Sequence, residues 1–379
     1  MKILILTVSA GGGHNSMTRS LVNCIGDSAE VKVFDIFMKK DKVKKKFVND
    51  FYFFTCRRLM PLSNAFYRWI LHRNVKRKKR TFFHVLTRKA KPRVFKVLEE
   101  FKPDVVFCSH TYCAHIMSEF RDRGVLSTDS PRVFSVTSDY EVSSYSELTT
   151  NIDYIVAPCE KVDAELIRRG FREDQILHLG IPVQTKFSEH IDKIEARKTL
   201  GVDENKFTVM IMNGEVGFGN PVELIESISK IDVDFQVLVV CGRNEELKKK
   251  LDEKIEKGEF TKTVHAYGFV NNVDVLMSAS DCLIGKIGGV AIAEAFNKRI
   301  PLIASNALPW QEYDNMVYLC AEGACDYVKK TKKAYEVLEP IIKDEKVREE
   351  RLKNIDRIRK PNATRDIVSA MFESVGEKF

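Results

Sequence analysis

Short apolar runs alternate with stretches of helical spacing along the whole chain. "KILILTV" (2–8), "VKVFDIF" (31–37), "DVVFCSH" (104–110), "RVFSVTSD" (132–139) and "YIVAPC" (154–159) are bounded by polar residues and rich in β-branched and aromatic side chains, which predicts buried strands. Between them, "NSMTRSLVNCI" (15–25) and "EKVDAELIRRG" (160–170) space their apolar residues as helices do, and Gly170 suits the position just past a helix end. "ILHLGIPV" (176–183) follows as a further strand. Alternation of this kind predicts an α/β fold, a doubly wound parallel sheet with helices on both faces.

The pattern then restarts. "FTVMIMNG" (207–214) and "FQVLVVCG" (235–242) are strands running into glycine, and "VHAYGFV" (264–270), "DCLIGKIGG" (281–289) and "IPLIAS" (300–305) continue the series. The polar, charged join lies near 184–206. A chain of 379 residues has the length for two domains at about 100–200 residues each. Ligands of open α/β sheets bind beyond the carboxyl ends of the strands. Two such sheets facing one another would place the site in the cleft between them.

Two glycine loops stand out. "SAGGGHNS" (9–16) follows the first strand, so backbone N–H groups there are free to approach an anion, with a histidine directly after them. The dinucleotide fingerprint GxGxxG fails because Ser16 stands where its third glycine belongs, and there is no GxxxxGK[ST] run. A tight strand-to-helix turn explains the same glycines equally well. In "GKIGGVAIAEAF" (285–296), Gly288 and Gly289 open a helix whose unpaired N–H groups suit a pyrophosphate, and Glu294 lies a turn and a half further in, suited to ribose hydroxyls. The competing reading of Glu294 is a solvated helix carboxylate.

"SAGGGHNS", "SVTSDY" (135–140), "LGIPV" (179–183), "MNGEVGFG" (212–219), "YGFVNNVDVLMSASD" (267–281), "GKIGGVAIAEA" (285–295) and "PWQEYDN" (309–315) occur in an order and spacing that extend over nearly the whole chain. With them the chain resembles the GT-B glycosyltransferases that include monogalactosyldiacylglycerol synthases and processive diacylglycerol glucosyltransferases. The resemblance implies a GT-B fold, two Rossmann-like domains facing across a cleft. Residues 1–184 would form an acceptor- and membrane-binding domain, 185–363 a UDP-sugar-binding domain, and 364–379 a helix returning to the first. It implies that backbone at Phe269 and Val270 holds uracil, Gly288 and Gly289 the pyrophosphate, Glu294 the ribose, and Gln311 and Glu312 the donor sugar. Gly214, Glu215, Gly242 and Val290 complete the donor set, and Gly12, Gly13 and His110 lie on the acceptor side. His115, five residues on from His110, is read as structural.

A diphosphate leaving group needs positive potential, which a helix start supplies without a metal. No metal site and no cofactor are expected, and UDP-sugar enters as donor substrate. Lys286 is placed to add charge, with a solvated loop lysine as the alternative. His14 is the candidate general base, since neutral imidazole accepts a hydroxyl proton near pH 7, with a purely positioning role as its competitor. Asp139 is either its orienting partner or the base itself. The chain departs from the family at Ala291, usually threonine, at 141–148, usually opening on His-Pro-Thr-Trp, and at Trp310 and Asp314, usually glycine. The identities of sugar and acceptor are therefore not carried over.

Charge sharpens the acceptor side. The net charge is +8, yet Lys39–Lys96 alone holds 20 Lys and Arg against Asp41 and Asp50, which leaves the rest at −10. This segment interleaves its cations with "FVNDFYFF", "NAFYRWI" and "RTFFHVL". Such a mixture suits an anionic membrane surface, each cation contributing about 1 kcal/mol there. Solvated amphipathic helices are the plainer alternative, and nucleic acid is not expected because no nucleic-acid motif accompanies the segment. Nine scattered cysteines without a CxxC pair, the lack of a long apolar run and an N-terminus unlike a signal peptide point to a cytoplasmic protein, peripheral on the inner face of the membrane. Together these features predict a hexosyltransferase using a UDP-sugar and a lipid such as diacylglycerol, with inversion of stereochemistry. A UDP-hexosamine epimerase of the same fold and a UDP-sugar- or lipid-binding module with weak catalysis are the alternatives.

Overall fold

The computed structural model describes residues 1–8, 12–37, 87–142, 144–214, 219–305 and 310–379. The chain divides into two compact units, one formed by Met1–Thr185 with Asn362–Phe379 and the other by Lys186–Pro361. Unit 1 runs β1 (Lys2–Thr7), α1 (Gly12–Ile25), β2 (Glu30–Asp35), α2 (Lys91–Phe101), β3 (Val105–Cys108), α3 (Thr111–Asp122), β4 (Arg132–Val136), β5 (Tyr154–Val156), α4 (Asp163–Arg168) and β6 (Ile176–Leu177). Its strands pair in parallel in the order β2-β1-β3-β4-β5-β6. Ile3–Leu6 of β1 and all of β3 are fully buried, which is why these segments read as unbroken apolar runs rather than alternating ones.

Unit 2 runs α5 (Lys193–Leu200), β7 (Phe207–Met212), α6 (Pro221–Ile228), β8 (Phe235–Val240), α7 (Glu245–Glu256), β9 (Thr263–Tyr267), α8 (Val273–Ser278), β10 (Cys282–Gly285), α9 (Gly289–Asn297), β11 (Leu302–Ala304), α10 (Trp310–Ala321), β12 (Cys325–Tyr327), α11 (Ala334–Lys343) and α12 (Glu345–Ile358). The strand order is β12-β11-β10-β7-β8-β9, again parallel throughout. Counted from its own first strand, this is the 3-2-1-4-5-6 order of dinucleotide-binding sheets. The chain ends in α13 (Ala363–Glu373), which packs on α1 within unit 1 and buries Ile367, Val368, Met371 and Phe372. Thr364 anchors it: its hydroxyl donates to the Val183 carbonyl at 2.6 Å and accepts from the Val183 N–H at 3.0 Å.

Three segments differ from the sequence expectation. Helix α1 begins at Gly12, so His14 sits in its first turn and not in a preceding loop. In "ILHLGIPV" only Ile176–Leu177 pairs as strand, because Gly180 turns at φ +91° and Pro182 has no N–H for the ladder. The edge strand β12 has three residues, too few to register as an apolar run. No helix among the described residues is long and apolar enough to cross a membrane.

In each sheet the strand order reverses at one place, between β1 and β3 in unit 1 and between β7 and β10 in unit 2. Crossovers leave on opposite faces there, and the strand ends bound a crevice. At the second reversal Gly285 lies opposite Met212, and a Cβ on Gly285 would stand 1.9 Å from the Met212 carbonyl oxygen. Backbone cannot yield to that contact as a side chain would. Gly285→Ala is expected to destabilise unit 2 by about 2 kcal/mol or more in urea melts. Gly268→Ala, with nothing within 4 Å of the new Cβ, is its control and should stay within about 0.5 kcal/mol of the parent protein.

Candidate functional site

At the β1/β3 reversal, His14 projects from the first turn of α1 toward the end of β3. Its Nδ1 lies 2.8 Å from the Ser109 carbonyl oxygen, which can only accept, so Nδ1 carries the proton and Nε2 keeps its lone pair. Ser109 is itself held: its hydroxyl donates to Thr7 Oγ1 at 2.9 Å, and Thr18 donates to the same oxygen at 3.3 Å. All three residues are buried. These hydroxyls tie the ends of β1 and β3 to α1 and fix where the Ser109 carbonyl points.

His110 packs against His14, ring centroids 4.7 Å apart, and stacks on Tyr112 at 4.7 Å and 9°. It caps α3: its Nδ1 accepts the Tyr112 N–H at 3.0 Å, so in the neutral ring the proton resides on Nε2. The two histidines thus hold opposite tautomers, one with a basic Nε2 and one with a donating Nε2–H. Burial lowers the His14 pKa below the ordinary 6.5, against the Ser109 bond and the Asp139 charge, which both raise it. Burial and the neighbouring His14 charge hold His110 well below 6.5. Asp139 therefore acts on His14 through its charge, and its carboxylate also accepts from the Ser138 hydroxyl at 3.1 Å. His115 is buried on α3, with Nδ1 3.3 Å from the Leu148 carbonyl and Nε2 3.5 Å from Glu119. Gly12 and Gly13 are the first two residues of α1.

At the β7/β10 reversal, Gly214 turns at φ +71° and Gly288 caps α9 in extended conformation with no side-chain cap. Three or four N–H groups at such a helix start have no intrahelical partner, and Gly289 and Val290 supply the first of them. Lys286 lies over Gly214, its Cδ 3.6 Å from where a Cβ would stand, and Glu312 Oε1 lies 3.5 Å from the same point on Gly288. The two side chains pair, Lys286 Nζ to Glu312 Oε1 at 2.6 Å. Asn315, one turn along α10 and fully buried, donates its amide to the Ile287 carbonyl at 3.1 Å. Helix α10 thus grips the 285–288 loop at two points. Glu294 lies half-buried on α9.

Beside this reversal, the carboxyl ends of β8 and β9 form a groove of about 690 Å³ lined by Gly242, Arg243, Lys248, Asp252, Gly268 and Phe269, among others. Phe269 is 52% exposed, and the Arg243 guanidinium lies 4.2 Å from its ring centroid. Val270 follows, half-buried. Glu215 and residues 38–86 of the basic segment lie outside the described residues, and of Gln311 only its place in α10 is described. No cluster of three or more His, Cys, Asp or Glu among the described residues is placed to hold a metal ion.

Sequence reasoning missed Thr7, Thr18, Ser109, Tyr112, Arg243 and Asn315. A usable signal existed for most of them. Thr7, Ser109 and Arg243 end, or closely follow, strands whose neighbours carry the glycines and histidines already singled out, and Asn315 is one helical turn from Glu312.

Two family profiles cover the chain in succession: "Monogalactosyldiacylglycerol (MGDG) synthase" over residues 14–183 and "Glycosyl transferases group 1" over residues 192–357. A protein of Bacillus licheniformis named processive diacylglycerol beta-glucosyltransferase is 26% identical over 98% of this chain and 94% of its own length. A protein of Nicotiana tabacum named probable monogalactosyldiacylglycerol synthase, chloroplastic, is 26% identical over 100% of this chain and 71% of its own. Among solved structures, MurG of Acinetobacter baumannii matches with a TM-score of 0.64 at 11% identity, over 98% of this chain and 100% of that one. HepE of Anabaena, crystallised with UDP-glucose, matches with a TM-score of 0.57 at 15% identity, over 98% and 99%. These likenesses show the GT-B fold, two Rossmann-like units in one chain.

The tautomers are open to direct observation. Histidine ¹⁵N spectra should show His14 protonated at Nδ1 and His110 at Nε2, both neutral down through pH 6.5. Asp139→Asn removes the charge that raises the His14 pKa, so its titration should move further to acid. Because the unfolded chain takes up protons that this folded pair refuses, the pair should reduce stability as pH falls below 6.5.

Proposed function

Because the chain belongs to the glycosyltransferase family of monogalactosyldiacylglycerol synthases and processive diacylglycerol glucosyltransferases, we propose that it moves a hexose from a UDP-sugar to the hydroxyl of a membrane lipid such as diacylglycerol, with inversion. The observation that carries this reading is the extent of the likeness: relatives named for lipid hexosyl transfer match both halves, in order, over 98% of the chain. A neutral histidine at one switch point and an uncapped helix start at the other support it.

In this reading His14 Nε2 takes the proton of the lipid hydroxyl as that oxygen attacks the anomeric carbon from the face opposite the nucleotide. The bond from that carbon to the diphosphate oxygen breaks, and UDP departs with the electron pair. The Ser109 carbonyl holds the Nδ1 proton, which leaves the basic lone pair on Nε2 until the hydroxyl proton is taken, and Asp139 stabilises the imidazolium as it forms. His110 offers its Nε2–H beside the base. The unpaired N–H groups of Gly289 and Val290 face the developing charge on the diphosphate, with Lys286 beside them. Phe269 and Val270 line the uracil position, Glu294 takes the ribose hydroxyls, and Gln311 and Glu312 the sugar.

The basic, aromatic segment 39–96 docks the protein on an anionic membrane, where its acceptor resides. Attraction of this kind is screened by salt. Flotation with anionic liposomes should be strong at low salt and fall sharply at high salt; retention that ignores salt would remove this docking role.

Incubation with UDP-glucose or UDP-galactose and diacylglycerol liposomes should yield glycolipid. UDP binding without turnover would instead favour a binding module, and lipid-independent epimerisation of UDP-N-acetylglucosamine, supplied in a parallel incubation, an epimerase. His14→Ala should lower turnover about 100-fold or more while UDP still binds. An equal loss of UDP affinity would move His14 to the donor side.

A further inference from the structure

The Lys286–Glu312 pair occupies ground that the donor needs. It spans the two glycine turns of the β7/β10 reversal, with the Lys286 stem over Gly214 and the Glu312 carboxylate against Gly288, the cap of α9. Glu312 is buried, Lys286 is half-buried with its side chain 24% exposed, and Asn315 holds the intervening loop to the same helix. A carboxylate thus stands at the helix start that would receive a diphosphate. Two anions brought together there repel unless one of them exchanges partners.

Resting on the proposed transferase reading, we infer that this ion pair is an exchange lock in the donor site. Entry of the sugar nucleotide transfers Lys286 from Glu312 to a phosphate oxygen, and the released Glu312 turns to accept from hydroxyls of the donor sugar. A complete donor satisfies both charges at once. UDP alone satisfies Lys286 and leaves a buried carboxylate without its cation, which is costly. The lock therefore selects for the sugar-bearing nucleotide, and re-formation of the pair after transfer expels UDP. Glu312 is in this sense a specificity residue acting through charge as well as through contact with the sugar.

The test is calorimetric titration of the full chain with UDP and with UDP-glucose or UDP-galactose in the absence of lipid. The parent protein should bind the sugar nucleotide more tightly than UDP. Glu312→Gln keeps the shape and removes the competing charge, so UDP should bind about tenfold more tightly and the advantage of the sugar nucleotide should vanish. Lys286→Met should weaken both ligands by about tenfold or more. Glu312→Asp, with a shorter reach to Lys286, should gain less for UDP than Glu312→Gln. Thermal melts of each variant confirm that it is folded. If the parent binds UDP and folded Glu312→Gln binds it no more tightly, the lock is overturned while the transferase reading stands. If the parent binds no uridine nucleotide, the donor-site reading falls and the lock with it.

Discussion

Both candidate centres follow from one constraint, the reversal of strand order in a wholly parallel sheet. Parallel neighbours must be joined by crossovers, and crossovers of one hand leave on opposite faces wherever the order turns back. Only there do adjacent strand ends stand open rather than roofed by a helix. In unit 1 that opening brings the residue after β1 beside the residues after β3, and His14 meets Ser109 and His110. In unit 2 it brings Gly214 beside Lys286, with Gly288 at the helix start. The chemistry differs between the units, and the geometry that hosts it is the same.

The two openings are tuned in opposite electrostatic senses. In the first, burial suppresses positive charge, so two imidazoles sit in contact while neutral and each is committed by one backbone bond to a single tautomer. A ring so fixed needs no reorganisation before it accepts a proton. In the second, a helix start and a lysine create positive potential, and a glutamate tempers it. An imidazole that stays neutral and a helix start whose lysine is balanced by a glutamate are both poised states.

How far the fold was legible depended on burial. Strands β1, β3, β7, β8 and β10 lie inside their sheets and announced themselves as apolar runs. The edge strand β12 did not, because three residues carry no pattern. Glycines and His14 could be picked out because three glycines and a histidine follow directly on an apolar strand, although a tight turn explains the glycines equally well. What His14 does with its two nitrogens could not, because its partner Ser109 is 95 residues away and contributes a carbonyl that every residue has. The same holds for Lys286 and Glu312: each invited a role alone, and their pairing depends on how α10 lies against the 285–288 loop.

Helix α13 has a bearing on how the chain is made. It belongs to unit 1, covers part of α1 and is tied by Thr364 to Val183, yet it leaves the ribosome only after the whole of unit 2. All of Lys186–Pro361 is synthesised between the rest of unit 1 and its closing helix. At about 5–20 residues per second this interval is on the order of ten seconds or more. At its end unit 2 has all the sequence it needs to fold, while unit 1 has waited throughout for α13. The nascent chain therefore presents the apolar surface that α13 will cover, at the side of His14's own helix, to whatever chaperone or membrane is near.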